Sequence, residues 1–416
     1  MATENNNKTL NVPNLRFPEF SGEWDRIKVS DLLEFYPTNS LSWEQLDYSG
    51  ESIFNLHYGL IHKGLPTQVD VSENNLPTIK DEYIPKKMSL CQNGDVAFAD
   101  ASEDTNDVAK CIEFANCDEQ KIVCGLHTIH GRDTQNKTVT GYKGYAFSAR
   151  PFREQIRRLA QGTKIYSINS HNFSECYIGI PCKEEQSKIS NLLHTVDLRI
   201  ATQIKIIEKL ESLIRGIVET HYSQCECINQ VRISELGEPF STMNMSKEDL
   251  SEEGNECILY GELFTTYGCV IKEVKSRTHI STNKATVSQS NDLLFPASTT
   301  VDAMSLIAPS AICKEGVILG GDLFGVHVNK NYNNEYLSYL INYIYKSKLA
   351  RYAQGSTIIH LHYSDIKNAT LLLPTIEEQN YLAHIMRGVE EKINIEKDML
   401  SKLYSQKAYL LSNLFI

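Results

Sequence analysis

The feature that most constrains this chain is an internal repeat. The motif Ala160–Thr163 (AQGT) returns as Ala353–Ser356 (AQGS), and Pro181–Gln186 (PCKEEQ) returns as Pro374–Gln379 (PTIEEQ). Both pairs are 193 residues apart, so the stretch between the two motifs aligns without a gap. Agreement in composition, order and spacing indicates that the chain contains two copies of one structural unit.

Weaker similarity extends upstream of these motifs. Ile27–Leu32 resembles Val231–Leu236, and Asp95–Phe98 resembles Asp292–Phe295, at separations of 204 and 197 residues. The shrinking separation indicates that the second copy has lost residues, which proteins tolerate in loops. The length of 416 residues also exceeds the size that a single hydrophobic core usually reaches, so two or more domains are expected.

A seam of apolar residues, alternating in steps of four and three, follows each proline motif. This spacing predicts two coiled-coil helices, each about 55–60 Å long at 1.5 Å per residue. Gln203 and Glu396 are equivalent polar positions in the seam, where a polar side chain can fix the register of packing. The alternative is that each helix packs only on its own domain. The seam residues expected to pack or to contact partners are Ile189, Leu193, Val196, Ile200, Ile207, Leu210, Leu382, Met386, Val389, Ile393, Leu400 and Leu403.

The segments that precede the two long helices, about 20–180 and 225–373, favour an α/β (α+β) fold. Short β-like runs alternate there with loops rich in Gly, Asn and Asp, and helical patterns cover Phe152–Leu159 and Glu335–Ala353. We therefore expect two repeated α/β domains joined by two long helices that pack on each other. The expected boundaries are a tail at 1–19, a first domain at 20–180, a helix at 181–222, a second domain at 223–373 and a second helix at 374–416.

Positive charge is concentrated beside both copies of the AQG motif. Arg153 aligns with Lys346 and Arg158 with Arg351, so cations recur at equivalent places. Cations and hydroxyls next to a glycine loop suit contact with phosphate groups, although cations are also favoured at the end of any helix. The residues expected to contact DNA are Arg150, Arg153, Arg157, Arg158, Thr163, Lys164, Tyr166, Lys346, Lys348, Arg351, Ser356 and Thr357.

The formal net charge of −11 argues against a nucleic-acid-binding chain taken alone. The objection weakens if the cations share one face or if partner subunits contact much of the phosphate backbone. The sequence has no run of about 18 apolar residues and its N-terminus lacks the apolar core of a signal peptide. Eleven cysteines without a Cys-x-x-Cys pair favour reduced thiols in a cytoplasmic protein over a structural zinc site.

Catalytic and metal signatures are absent or weak. The chain has no Gly-x-x-x-x-Gly-Lys-Ser/Thr loop for ATP and no Asn-Pro-Pro-aromatic motif of an adenine methyltransferase. Glu273-Val-Lys275 lacks the upstream partner of a nuclease site. Gly320–Gly325 lacks the Gly-x-Gly-x-x-Gly spacing of a dinucleotide loop and is expected to be a turn. The pairs His127/His130 and His360/His362 do not recur in the other copy, and such histidines are more often plain polar residues than metal ligands. We therefore expect no catalytic residue and no bound metal.

The repeated motifs resemble those of the specificity subunits of type I restriction–modification systems. The opening segment Pro13–Phe20 with Gly22–Trp24 is similar to the start of many members, and the Gly-Thr/Ser stretch followed by Pro-x-x-Glu-Glu-Gln and a long helix is similar to their two conserved regions. The anchors of the resemblance are Gly162, Pro181, Glu184–Gln186, Gly355, Pro374 and Glu377–Gln379. Cys182-Lys183 departs from the apolar pair that is usual before the first helix.

The resemblance implies a division of labour between this chain and its partners. Each α/β domain would be a target-recognition domain that reads one half of a bipartite site in double-stranded DNA, and the helices would form an antiparallel spacer that docks two methyltransferase subunits. Restriction subunits would join through those. S-adenosylmethionine, ATP and Mg²⁺ would belong to the partners, with no cofactor in this chain. A specificity subunit of a type II system and a coiled-coil scaffold that does not bind DNA are the alternatives.

Overall fold

The structure is a computed structural model that describes residues 11–50, 52–72, 76–117, 120–162, 164–224 and 229–416. The chain divides into two compact units. Unit 1 consists of Met1–Ile204 and Met399–Ile416, and unit 2 of Lys205–Asp398. Both unit boundaries fall inside long helices, so each unit combines one α/β domain with part of each helix.

Unit 1 contains thirteen strands and six helices within the described residues, the last helix continuing into unit 2. The strands are β1 (Asp25–Lys28), β2 (Glu34–Tyr36), β3 (Leu46–Asp47), β4 (Phe54–Leu56), β5 (Gln68–Asp70), β6 (Thr78–Ile79), β7 (Val96–Ala99), β8 (Ala101–Ser102), β9 (Cys111–Ala115), β10 (Ile122–Cys124), β11 (Thr128–Arg132), β12 (Tyr166–Ser167) and β13 (Tyr177–Ile180). The helices are α1 (Val29–Leu32), α2 (Tyr58–Lys63), α3 (Tyr142–Ser148), α4 (Arg150–Leu159), α5 (Ser170–Ser174) and α6 (Lys183–Gln224).

Unit 2 repeats this inventory in the described part of the chain. Its strands are β14 (Asn229–Arg232), β15 (Gly237–Ser241), β16 (Leu250–Ser251), β17 (Asn255–Leu259), β18 (Val270–Ile271), β19 (Ser276–Thr278), β20 (Asp292–Pro296), β21 (Ser298–Thr299), β22 (Ser310–Ile312), β23 (Ile318–Gly320), β24 (Leu323–Val328), β25 (Ile359–His360) and β26 (Thr370–Leu373). Its helices are α7 (Glu262–Thr265), α8 (Ala303–Leu306), α9 (Asn334–Leu340), α10 (Lys346–Ala350), α11 (Tyr363–Ile366) and α12 (Ile376–Asn413).

The two units share one sheet topology. A five-stranded sheet has the order β2-β11-β7-β9-β5 in unit 1 and β15-β24-β20-β22-β18 in unit 2. A four-stranded sheet has the order β10-β4-β6-β3 in the first unit and β16-β19-β17-β23 in the second, and both contain a parallel pair (β10 with β4, β23 with β17). The antiparallel pairs β1–β13 and β14–β26 join the two ends of each domain next to its long helix. The repeat found in the sequence is therefore a repeat of structure.

Residues of α6 and α12 pack antiparallel in both units. In unit 1, Lys407 Nζ lies 2.5 Å from Asp197 Oδ1. The first turn of α6 and the last turn of α12 also meet the same N-terminal segment, because Arg16 binds Glu185 and Leu15 N–H donates to Asn413 O. In unit 2, Lys397 binds Glu211 at 3.0 Å, and Tyr222 near the end of α6 contacts Tyr345, whose hydroxyl accepts from Leu372 N–H just before α12.

Most of the predicted seam residues are buried. Ile189, Leu193, Val196 and Ile200 share one apolar cluster with Leu403 in unit 1. Ile207, Leu382, Met386 and Ile393 are buried in unit 2, and Leu210, Val389 and Leu400 are half-buried. Of the two polar seam positions, Gln203 is buried, and half-buried Glu396 pairs with Lys392.

Two local expectations need correction. The helix expected over Glu335–Ala353 is interrupted by a π-helical turn at Ile341–Tyr345, and the structure ends it at Ala350. The Asn342 side chain sits in that turn and donates to Pro309 O at 2.8 Å and to Ser338 O at 2.9 Å. Gly320–Gly325, expected to be a turn, is largely strand, with only Gly321–Asp322 between β23 and β24. No helix among the described residues is long and apolar enough to cross a membrane.

We predict that Leu193→Ala lowers the free energy of unfolding by about 2–5 kcal/mol, because Leu193 is fully buried between the helix and the domain core. Leu198→Ala on the same helix is the matched control, because Leu198 is 54% exposed, and its effect is expected to stay within about 0.5 kcal/mol. Urea denaturation followed by circular dichroism measures both. Equal destabilisation by the two variants would contradict the assignment of the packed face.

Candidate nucleic-acid interface

Each unit carries an exposed loop at the AQG motif, directly after a helix. In unit 1, α4 ends at Leu159, and Gln161 and Ser167 then exchange backbone hydrogen bonds of 3.0 and 2.9 Å. In unit 2, α10 ends at Ala350, and Gln354 and His360 exchange hydrogen bonds of 2.9 and 2.7 Å. Both loops are therefore closed at the base by the same pair of bonds, and most of the described residues between these bonds are exposed.

Glycine is required at the same place in both loops. Gly162 has φ +144° and Gly355 has φ +122°. A Cβ on Gly162 would lie 1.9 Å from Ile165 O, and one on Gly355 would lie 2.0 Å from Ile358 O. These distances are far below van der Waals contact, so the loop backbone closes only because glycine has no side chain.

A second segment lies beside each loop. Strand β12 pairs with β8, and strand β25 pairs with β21, in both cases antiparallel. Strand β21 leads into Thr300 and Val301 beside the second loop, and together with Lys346 and Ile358 these residues line a cleft of about 770 Å³. Each unit thus presents a two-segment rim of backbone and hydroxyl groups.

The predicted cations fall into an exposed and a structural group. Arg158, Lys164 and Arg351 are exposed, and within the described residues they form no ion pair. Lys348 is exposed and lies over the Tyr345 ring at 5.2 Å, and Lys346 is half-buried at the edge of the cleft. Lys348 Nζ also donates to Thr370 O at 3.4 Å.

The other three predicted arginines are bonded to neighbouring residues of unit 1. Arg153 and Arg157 donate to the backbone oxygen and side-chain oxygen of Asn106, at 2.5 and 3.1 Å. Burial lowers the pKa of Arg153, against the opposing effect of nearby Asp107. Arg150 pairs with Glu154 one helical turn away at 2.7 Å. Arg153 therefore differs from its predicted role as a free phosphate ligand: its guanidinium is committed to the loop that follows β8.

The remaining predicted residues lie on or beside the loops. Ser356 and Thr357 are exposed at the tip of the second loop, and Tyr166 is half-buried in β12 opposite Ser102. Thr163 lies outside the described residues.

Sequence reasoning missed the most exposed apolar side chains of the two loops. Ile165 is 63% exposed and Ile358 is 49% exposed, and they are equivalent because they are 193 residues apart. An aliphatic side chain at the tip of a DNA-facing loop can contact a thymine methyl group or wedge against a base step. The repeat spacing is the signal that could have found them, because it pairs two isoleucines three residues after the loop glycines.

The motif that follows each loop fixes the start of the long helix. Gln186 Oε1 accepts from Val139 N–H at 2.9 Å, and its Nε2 donates to Pro181 O at 2.9 Å. Gln379 repeats this arrangement with Asn333 N–H at 3.0 Å and Pro374 O at 2.9 Å. The repeated Pro-x-x-Glu-Glu-Gln motif is thus a structural joint between domain and helix.

Of the four histidines noted in the sequence, three are exposed and His130 is buried. His127 lies 3.1 Å from Asp100, whereas His130 is buried on β11. His360 and His362 are stacked with ring centroids 6.2 Å apart, and both are exposed. Glu273 and Lys275 are exposed beside β18 and β19.

Comparison with known proteins agrees with this arrangement. Residues 23–212 and 228–404 match the family described as Type I restriction modification DNA specificity domain. The chain is 22% identical, over 95% of its length and 94% of the other, to the type I restriction enzyme MjaX specificity subunit of Methanocaldococcus jannaschii.

Two solved structures have the same fold. The type I restriction–modification S subunit from M. genitalium aligns with a TM-score of 0.57 at 15% identity, covering 97% of this chain and 99% of that one. A chain from a structure of complex assembly and conformational transition in the type I R-M system aligns with a TM-score of 0.52 at 14% identity, covering 93% and 96%.

Two repeated α/β domains, each with a glycine loop and a long helix, define a DNA-target specificity subunit. The chain belongs to the type I restriction modification DNA specificity domain family, and it contains two copies of that domain.

We predict that Gly355→Ala weakens DNA binding by the complex that contains this chain, because the added Cβ must displace the Ile358 carbonyl and distort the loop. Gly388→Ala in α12 is the control, since its Cβ would meet no atom within 4 Å and alanine favours a helix. A DNA-binding titration of both variants measures the effect. If Gly355→Ala bound DNA with unchanged affinity, the loop would not be part of the DNA interface.

Proposed function

We propose that each unit reads one half of a bipartite DNA site through the face that carries its glycine loop. The observation that carries this proposal is that the two units repeat the same loop, with the same hydrogen-bonded base, the same glycine and an exposed isoleucine, on the same sheet topology. The rims differ in side chains, Lys164 in one loop corresponding to Thr357 in the other. Similar backbones with different side chains suit two readers of different half-sites.

In this proposal the cations and the rim residues have separate tasks. Arg158, Lys164, Lys348 and Arg351 contact phosphates and set the position of each unit on the duplex, which carries no sequence information. The residues of the rims, including Ile165 and Ile358, reach the base edges. The acidic remainder of the chain then faces away from the DNA or meets basic partner subunits.

The long helices dock two methyltransferase subunits in this proposal, and restriction subunits join through them. The predicted seam residues are used in packing within each unit, so a partner must bind other side chains. Both helices expose large apolar residues. Exposed apolar patches on a protein surface often mark sites that bind another protein. These are Leu198, Ile206 and Leu213 in α6 and Tyr381, Ile395, Met399, Tyr404 and Tyr409 in α12, with exposures between 37% and 67%.

The chain supplies no chemistry in this proposal. Its sequence has neither the ATP loop nor the adenine-methyltransferase motif, so S-adenosylmethionine, ATP and Mg²⁺ are assigned to the partner subunits. Methylation and cleavage then depend on the assembled complex, and this chain decides where they occur.

We predict that Arg158→Gln with Arg351→Gln weakens binding to specific and non-specific DNA alike. The slope of log K against log salt should become shallower by about 0.9 for each phosphate that the variant no longer neutralises. Arg150→Gln is the matched control, because Arg150 is exposed but paired with Glu154. Binding titrations at several salt concentrations measure the slope. If the double variant kept the wild-type slope, these arginines would be ordinary helix-end charges.

We predict that Leu198→Glu abolishes assembly with the methyltransferase while leaving the fold intact, because the side chain is exposed and the added charge must be desolvated in an interface. Ile200→Asp should instead unfold unit 1, because Ile200 is buried. Size-exclusion chromatography and circular dichroism separate the two effects. Normal assembly by Leu198→Glu would show that this face is not the docking surface.

The wild-type chain alone should not methylate DNA, whereas a mixture of the chain with the methyltransferase should.

A further inference from the structure

Two cysteines and a histidine meet in the interior of unit 1. Cys91, Cys124 and His130 are 5%, 1% and 0% exposed, and one ligating atom from each lies within 4.8 Å of the others. The two sulfur atoms are 3.6 Å apart, and neither cysteine forms a disulfide bond. Two Zn–S bonds of 2.3 Å at a tetrahedral angle place their sulfurs about 3.8 Å apart, so this separation already suits a shared zinc ion.

The histidine is prepared as a ligand. Its Nε2 lies 2.7 Å from Asp95 Oδ2, and Asp95 also accepts two hydrogen bonds from Arg132. A carboxylate on Nε2 fixes the proton there and leaves Nδ1 with a free lone pair.

That second nitrogen has no other use in the described structure. His130 Nδ1 is buried and has no hydrogen-bond partner among the described residues. A buried polar atom without a partner carries a desolvation penalty. Coordination of a metal ion would remove that penalty and would use the one lone pair that the ring still offers.

We propose that Cys91, Cys124 and His130 bind a zinc ion inside unit 1, with Asp95 orienting His130. Two thiolates and an imidazole are the ligand set that selects zinc over magnesium or calcium. Three protein ligands leave one tetrahedral position for water. Cys124 also lines a cleft of about 590 Å³ together with Met88 and Ser89, so the proposed site borders this cleft.

The positions of the ligands define what the ion does. Cys91 is bonded through its N–H to Ile122 O, and Cys124 ends β10 in the four-stranded sheet. His130 lies in β11 of the five-stranded sheet, where it is paired with Tyr36 of β2 on one side and Ala97 of β7 on the other. The zinc ion therefore ties the two sheets of the first domain together beside the β10–β11 turn.

Unit 2 supplies an internal comparison. Ser288 N–H donates to Val317 O as Cys91 N–H donates to Ile122 O, so Ser288 takes the place of Cys91. The matching registers place Leu319 at the position of Cys124 and Gly325 at that of His130. A Cβ on Gly325 would lie 2.2 Å from the Phe240 ring, which fills the space of a ligand there. The site thus belongs to unit 1 alone.

The test is the zinc content of the purified full-length chain, measured by plasma mass spectrometry after dialysis. We expect about one zinc ion per chain, as for a single tetrahedral site. Cys91→Ser with Cys124→Leu should remove it, and both changes copy the residues of unit 2, which the fold accepts. Cys117→Ala is the control, because Cys117 is a buried thiol of the same apolar cluster outside the ligand set. It should keep the zinc.

Two further readouts distinguish the alternatives. Replacement of zinc by Co²⁺ should give thiolate-to-cobalt absorption in the wild type and in Cys117→Ala but not in the double variant, and a chelator should lower the melting temperature only of the first two. Zinc retained by the double variant would place the metal elsewhere in the chain and overturn the proposal. A metal-free wild type would overturn it as well, and the disappearance of two titratable thiols, restored by a reductant, would assign the pair to a disulfide.

Discussion

The architecture depends on one buried side-chain amide that is used twice. Gln186 and Gln379 are 0% and 1% exposed, and each bonds the loop before a domain helix and the carbonyl of the proline that precedes a long helix. A buried amide left without these partners would cost about 1–3 kcal/mol per missing bond, so these bonds favour the observed direction in which the helix leaves its domain. This joint also helps to position the glycine loop relative to the long helix. In each unit the glycine loop lies in the chain between α4 or α10 and the proline of the joint.

The sequence predicted the parts of this structure that are local or repeated. The long helix and the glycine loop each depend on residues close in sequence, and the 193-residue repeat shows that each of them occurs twice. The π-helical turn at Ile341–Tyr345 was not predictable, because Asn342 is held there by the distant Pro309 carbonyl. A distant contact also explains why the prediction for Arg153 differs from the structure. Its alignment with Lys346 suggested a cation free to contact DNA, but its guanidinium donates to the Asn106 carbonyl. Contacts between distant residues override a local pattern in both cases.

The proposed zinc site also depends on contacts between residues that are distant in sequence, so the sequence pattern did not predict it. Cys-x-x-Cys spacing and paired histidines are the local signals of such a site, but Cys91 is 33 residues before Cys124 in the chain. Cys91, Cys124 and His130 are brought together by the pairing of β10 and β11 with segments far along the chain. Only comparison of the two sheets reveals that unit 2 carries serine, leucine and glycine at those positions. Two copies of one fold can therefore be stabilised differently while keeping the same outer loops.

The central claim is that two similar units read two half-sites independently. Replacing residues 225–373 with the corresponding segment of a family member that has a different target, followed by sequencing of the methylated sites in cells, tests it most directly. The account predicts that one half of the methylated sequence changes to that of the donor, while the other half stays as in the wild type. A swap that altered both halves, or neither, would contradict the assignment of one reader to each unit.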